Sequence, residues 1–251
     1  MDYIALPNLP EGSVNLAVID GRISSAAEGQ LLLNKIKLIK TSRHTGVYEA
    51  VSYHPDIMFH HIGLNRIVYA PGTDDTLLNV LSGFGFNLIK GDSELSSKYP
   101  CDIAYNVARV GMFFFHNMKY TDAVLKSELE KCGIEPVHVE QGYAKCSISI
   151  ANGSSIITSD TGIARVAEKK GIDVLLIDFK QNILLPGLSY GFIGGCSGLV
   201  GKSMWAVNGD EKKLTSFKEI HDFLSRKNIQ LLSLSDDQVV DIGSIIPLMT
   251  I

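Results

Sequence analysis

Residues 146–178 read CSISIANGSSIITSDTGIARVAEKKGIDVLLID, and their order decides the fold. Cys146 to Ile150 alternates apolar and polar residues, the period of a half-buried strand. Ala151-Asn152-Gly153-Ser154 is hairpin chemistry, because Asn and Gly tolerate positive φ. Ser155 to Thr158 is the return strand. Asp160 or Thr161 can cap a short helix over 162–170, which stops at Gly171, a residue suited to the position just past a helix end. Asp173 to Asp178 then reads as a third strand, apolar enough to be buried on both faces.

The same sequence of hairpin, short helix and apolar strand recurs along the chain. Strand 56–64 pairs with 66–70, a helix through 74–81 follows, and 86–90 completes the unit. Strand 102–108 pairs with 112–116, followed by helix 120–131, Gly133 and strand 136–140. Strand 192–200 pairs with 204–207, then come helix 216–227 and strand 229–234. The return strands begin at Arg66, Met112, Ser155 and Met204, a spacing of about 45 residues that falls within the range of repeat architectures. The N-terminal segment offers a strand (15–20), a helix (24–34) and a strand (36–40) but no first strand. The C-terminal segment 239–248 is a lone strand. Joined, the two ends make a fifth unit, so residues 1–251 are expected to form one α/β domain of five ββαβ units in a pseudo-five-fold ring. Closure of that kind leaves no open sheet edge between the first and last units.

Composition excludes several classes. Among the 251 residues, 45% are hydrophobic and 20% charged, the balance of a globular domain. The net charge of −4 argues against nucleic-acid binding, which needs a basic surface. No stretch reaches the roughly 20 apolar residues of a membrane span, and no secretion signal is recognised at the start. The four cysteines, Cys101, Cys132, Cys146 and Cys196, contain no C-x-x-C pair. They read as free thiols of a cytoplasmic protein.

The phrases Pro55-Asp56-Ile57, Cys101-Asp102-Ile103-Ala104-Tyr105-Asn106, 142–147, 191–198 and Asp241-Ile242-Gly243-Ser244, with the repeat order, resemble the pentein (guanidine-modifying-enzyme) superfamily. That superfamily includes arginine deiminase, agmatine deiminase, dimethylarginine dimethylaminohydrolase, amidinotransferases and the non-enzymatic initiation factor six. The chain is also similar to a bacterial subgroup of this fold with no assigned activity. The resemblance implies a five-bladed α/β propeller whose first strands line a central cavity. Aligned on their hairpins, those strands bring Asp56, Asp102, Cys146 and Asp241 to equivalent positions, with Gly194 in the last full unit. Two-residue parity then adds His60, Asn106 and Cys196. The enzymatic members carry a nucleophilic Cys on the closing strand, where this chain has Asp241 and Ser244. They carry a His on the fourth unit's first strand, where this chain has Lys145 and Cys146.

The resulting expectation is a cysteine-dependent hydrolase or transferase for a small guanidino, amidino or other cationic nitrogen metabolite. Cys196 or Cys146 would attack, and His60 would move protons. Asp56, Asp102, Asn106, Lys145, Asp241 and Ser244 would bind substrate, with carboxylates pairing to the cation. Such chemistry needs no metal or organic cofactor. A zinc site from His60, Cys146 and Cys196 lacks the usual ligand spacing. Each residue also has a plain structural reading: a small core thiol, a strand-start aspartate, a satisfied histidine. His116 and His138 read as strand-surface residues. Gly194 to Gly198 also fits a nucleophile elbow, but the turn after it leads into a strand rather than a helix. The competing class is a binding or scaffold protein that kept the ring without the chemistry. A small-molecule partner is expected, homo-oligomerisation is left open, and so is whether the loop 91–100 plugs the cavity.

Overall fold

The computed structural model describes residues 2–251. The first unit contains β1 (Asp2–Tyr3), β2 (Val14–Ile19), α1 (Ser25–Leu33) and β3 (Lys37–Lys40). The second has a helical turn α2 (Pro55–Met58), then β4 (Phe59–Gly63), β5 (Arg66–Tyr69), α3 (Asp75–Gly83) and β6 (Asn87–Lys90). The third has β7 (Ala108–Val110), β8 (Phe113–His116), α4 (Ala123–Lys131) and β9 (Glu135–His138). The fourth repeats the second: α5 (Ala144–Ser147), β10 (Ser149–Asn152), β11 (Ser155–Thr158), α6 (Thr161–Lys169) and β12 (Asp173–Leu176). The fifth holds β13 (Ser197–Gly201), β14 (Met204–Val207), α7 (Phe217–Ser225) and β15 (Gln230–Ser233), and β16 (Ile246–Thr250) ends the chain.

Units two to five pair their first two strands antiparallel and their last two parallel, and in the first unit β16 pairs antiparallel with β2, which runs parallel to β3. The helix is the crossover that a parallel pair requires. β16 lies between β1 and β2, so the first sheet is built from both chain ends. Neighbouring units touch all the way round: α3 on β3, α4 on β4, α5 on β7, β10 on β13, and β13 on β16. Apolar clusters fill the seams between units. One joins Ala27 and Leu31 of α1 to Val200 and Ala206 of the fifth unit.

Local chemistry explains the helices. Ser24, Asp74, Asp122 and Asp160 each accept a hydrogen bond from an amide in the first turn that follows. The side chain thereby satisfies a donor the helix leaves unpaired. α6 buries Ile163, Ala164 and Ala167, and complete burial of the Ile side chain contributes roughly 1.5–3 kcal/mol. The helix ends as Gly171 takes φ +76°, the left-handed region.

Three expectations need correction. The third strand is not buried on both faces: Asp173 and Leu176 of β12 are exposed, because β12 is the edge of its sheet. The first strands begin later than the pattern implies, at Phe59, Ala108, Ser149, Ser197 and Ile246. The residues ahead of them fold as helical turns or tight loops, which an alternating apolar pattern does not distinguish over so few positions. His116, expected at a strand surface, is buried between Thr121 Oγ1 and the Gly142 carbonyl oxygen. His138 is on the surface as expected.

Candidate functional site

The turns that precede the first strands meet at the centre of the ring, and every unit contributes to one buried network. Asp56 comes from α2, Asn106 from the turn before β7, Lys145 and Cys146 from α5, Gly194 from the turn before β13, and Ser244 from the loop before β16. Asp56 Oδ2 accepts hydrogen bonds from Ser244 Oγ at 2.8 Å and from the Cys146 thiol at 3.2 Å. Lys145 Nζ donates to Ser244 Oγ at 2.8 Å. The Ser244 hydroxyl proton has two acceptors, Asp56 Oδ2 and the Gly194 carbonyl oxygen at 2.9 Å. Asn106 ties the turns together. Its Oδ1 accepts from the amides of Lys145 and Cys146, and its Nδ2 donates to the Asp56 carbonyl oxygen and to Cys146 Sγ.

Because α5 is helical, Lys145 and Cys146 do not point to opposite faces as strand neighbours would. Both are buried and both reach the network. The parity that assigned His60, Asn106 and Cys196 to one face fails for the same reason. Asn106 reaches the network from its turn. His60 lies on β4 beside a void of about 10 Å³, together with Asp56 and Lys145, a space of about one water. Its Nε2 has no partner among the described residues, and burial, reinforced by Arg109, lowers its pKa to about 3. Cys196 is folded back on its own turn, its thiol donating to the Ile193 carbonyl oxygen.

Burial governs the ionisation of the remaining groups. It pushes both the Cys146 and Cys196 thiols well above their ordinary value, and nearby carboxylates add to the shift. An activated thiol needs the opposite direction. Burial lowers the Lys145 ammonium against the opposing charge of Asp56. Asp241, whose oxygens accept from the amides of Phe192 and Gly243, is raised by burial to about 7.

Asp102 lies in a second layer, where its Oδ2 accepts from the Tyr143 hydroxyl, which also meets Tyr48 Oη at 3.1 Å. Asp102 Oδ1 is buried without a partner among the described residues, and burial raises the carboxyl pKa. Tyr143 in turn walls a pocket of about 340 Å³ with Tyr99, Leu188, Tyr190 and Phe192. The Tyr143 ring lies 5.9 Å from that of Tyr99 and 6.1 Å from that of Phe192. Tyr99 belongs to the loop 91–100, so that loop helps to wall the pocket. The volume suits a small ligand, and aromatic faces attract cations.

Three central residues escaped the sequence reading. Tyr143 stands there only within the phrase 142–147, with no role, and Tyr48 is not singled out. His54 is fully buried between Asp20 and Asp241, at 3.8 and 3.9 Å, too far for hydrogen bonds, and burial lowers it to about 4. A polar residue directly before Pro55 was the one available signal for it. His54, Asp56 and Cys146 offer donor atoms within 4.8 Å of one another. Coordination there would require the Cys146 thiol, which donates to Asp56 Oδ2, to lose its proton.

Residues 18–246 match a family described as a family of unknown function, DUF6873. No curated protein matches the sequence. Solved structures do match over nearly the whole chain. An amidinotransferase of the saxitoxin pathway from Microseira wollei is 10% identical with a TM-score of 0.59, covering 96% of this chain and 96% of its own. An inosamine-phosphate amidinotransferase from Streptomyces griseus is 9% identical at 0.58, covering 94% and 92%. Agmatine deiminase from C. jejuni is 10% identical at 0.56, covering 94% and 90%. At this identity the likeness is one of fold, and the fold is that of the penteins. Among the described residues no helix is long and apolar enough to cross a membrane.

Proposed function

This pentein-fold chain belongs to the DUF6873 family, and we propose that it is a hydrolase or group-transfer enzyme for a small guanidino or amidino cation. One observation carries the reading: turns from all five units converge on a single buried network beneath an aromatic-walled pocket. In this reading the cation enters between Tyr99, Tyr190 and Phe192 and displaces the Tyr143 hydroxyl from Asp102. Asp102, whose Oδ1 has no partner among the described residues, then pairs with the cation through charge-assisted hydrogen bonds. Asp56 and Asp241 extend the negative lining inward, and Asn106 holds the turns in register. Asp56 Oδ2 is the shared acceptor of two nucleophile candidates, Cys146 and Ser244. His60 borders the water-sized void beside Asp56 and Lys145. Cys196 serves this reading as a packing residue of its turn.

Calorimetric titration with agmatine, arginine and guanidinium, followed by assays for released ammonia or urea, tests the proposal. Binding at millimolar affinity or better, weakened at least tenfold by Asp102→Asn, is the expected result. A second reading, a non-catalytic binding protein, draws on the raised thiols and the water-sized central void. Binding without turnover of any tested guanidino or amidino compound would favour it. Absence of binding by every cation would sink both small-cation readings.

A further inference from the structure

We propose that Ser244 is the nucleophile of this centre and Lys145 the base that takes its proton. The inference names the reacting residue within the function proposed above and therefore rests on it. Lys145 is buried at the ring centre, and among the described residues it has no carboxylate within ion-pair distance. Its ammonium nitrogen meets the Ser244 hydroxyl instead, at 2.8 Å. A buried lysine without a counter-ion in contact is costly, and it is the form in which lysine acts as a base.

Ser244 is held for the part in an unusual way. Gly243 and Ser244 adopt φ +65° and +75°, two successive left-handed residues, and Ser244 has the side chain that disfavours it. Strain of this kind persists where the surroundings over-determine it, and it clusters at functional sites. Here the surroundings are the Ser244 amide bonded to the Gly195 carbonyl oxygen, and the hydroxyl bonded to Asp56 and Gly194. Gly194 and Gly195 permit this approach, since a Cβ on Gly195 would collide with Asp241 Oδ1 and one on Gly194 with the Lys145 carbonyl oxygen. The competing nucleophiles are less suited. Burial holds both thiols protonated, and Cys196 is bonded within its own turn.

In the reaction, neutral Lys145 accepts the Ser244 proton as Oγ bonds to the electrophilic carbon of the amidino group. The C–N bond to the leaving amine breaks, and the Lys145 ammonium gives that amine its proton. Water, deprotonated by the same lysine, then bonds through its oxygen to the carbon as the Oγ–C bond breaks, and the Lys145 ammonium returns a proton to Ser244 Oγ. The net change is hydrolysis, with no oxidant or reductant involved.

The test exposes the full-length protein to methanesulfonyl fluoride from pH 6 to 10 and locates the adduct by peptide mass spectrometry. The expected product is a sulfonyl group on Ser244, formed with an apparent pKa below the ordinary lysine value of about 10.4. Lys145→Met should slow it at least fiftyfold. Because that variant can misfold, Ser244→Cys gives a second reading: its new thiol should be alkylated by iodoacetamide at least tenfold faster than Cys146 or Cys196. Modification of Cys146 in place of Ser244, or no adduct while guanidino cations still bind, overturns the pair and leaves the proposed function standing. An adduct on Ser244 in a protein that binds no cation supports the pair and removes the substrate class.

Discussion

Asn106 makes more contacts in the central network than any catalytic candidate, and all of them hold other residues in place. Its carbonyl and amide groups face the amides of α5, the Asp56 backbone and Cys146. Replacing it with Leu leaves the Cys146 amide without that acceptor in a place water does not reach. The expected loss is about 2–3 kcal/mol, read as a lowered urea midpoint with unchanged slope. Sequence alignment of the repeats reached Asn106 through strand parity, although the residue sits in a turn. Tyr143 stayed outside the reading because its importance comes from Asp102, 41 positions away, and no local pattern records that distance.

The helices follow local rules closely, so element-level predictions are correspondingly sharp. Asp160 caps α6 through the Ile163 amide, and Asp160→Ala should cost about 1 kcal/mol. Asp122 occupies the same position at α4, where its Oδ2 also accepts from the amides of Asp92 and Ser93 and from the Tyr105 hydroxyl. Asp122→Ala should therefore cost clearly more, about 3 kcal/mol, because the loop 91–100 loses its anchor as well. Equal losses in paired denaturation curves would show that the loop bonds contribute nothing. The capping residues, hairpins and Gly171 stop were legible because they depend on neighbours within four positions. The turns α2 and α5 were not, since four residues of helix and four of strand bury the same apolar side chains.

At the scale of the molecule, closure and buried charge dominate. β16 is flanked by β1 and β2 and buries Ile246, Leu248 and Met249. Removing residues 246–251 opens the ring, and a broad, non-cooperative thermal transition is the expected outcome. Acid should have a similar effect through titration. His54, His61 and His116 have pKa values lowered to about 4 and His60 to about 3, chiefly by burial. Unfolded, each would take a proton below about 6.5, so their stabilising effect is complete above that pH and is lost as pH falls toward 4. Asp241 acts oppositely. Raised to about 7, it favours the fold at low pH and loses that effect as pH rises through 7. Near pH 5 unfolding should take up about three protons net, which the pH dependence of the denaturation midpoint measures; a flat profile from pH 7 to 5 would refute it. The ring itself was readable from the sequence: turn residues, caps and apolar runs recur at one spacing, and the two incomplete ends complement each other, all properties of neighbouring residues. Which side chains meet at its centre was decided by the tertiary structure alone. Asp56, Asn106, Lys145, Gly194 and Ser244 come from five units, and only the packing of those units sets their distances, their burial and so their ionisation.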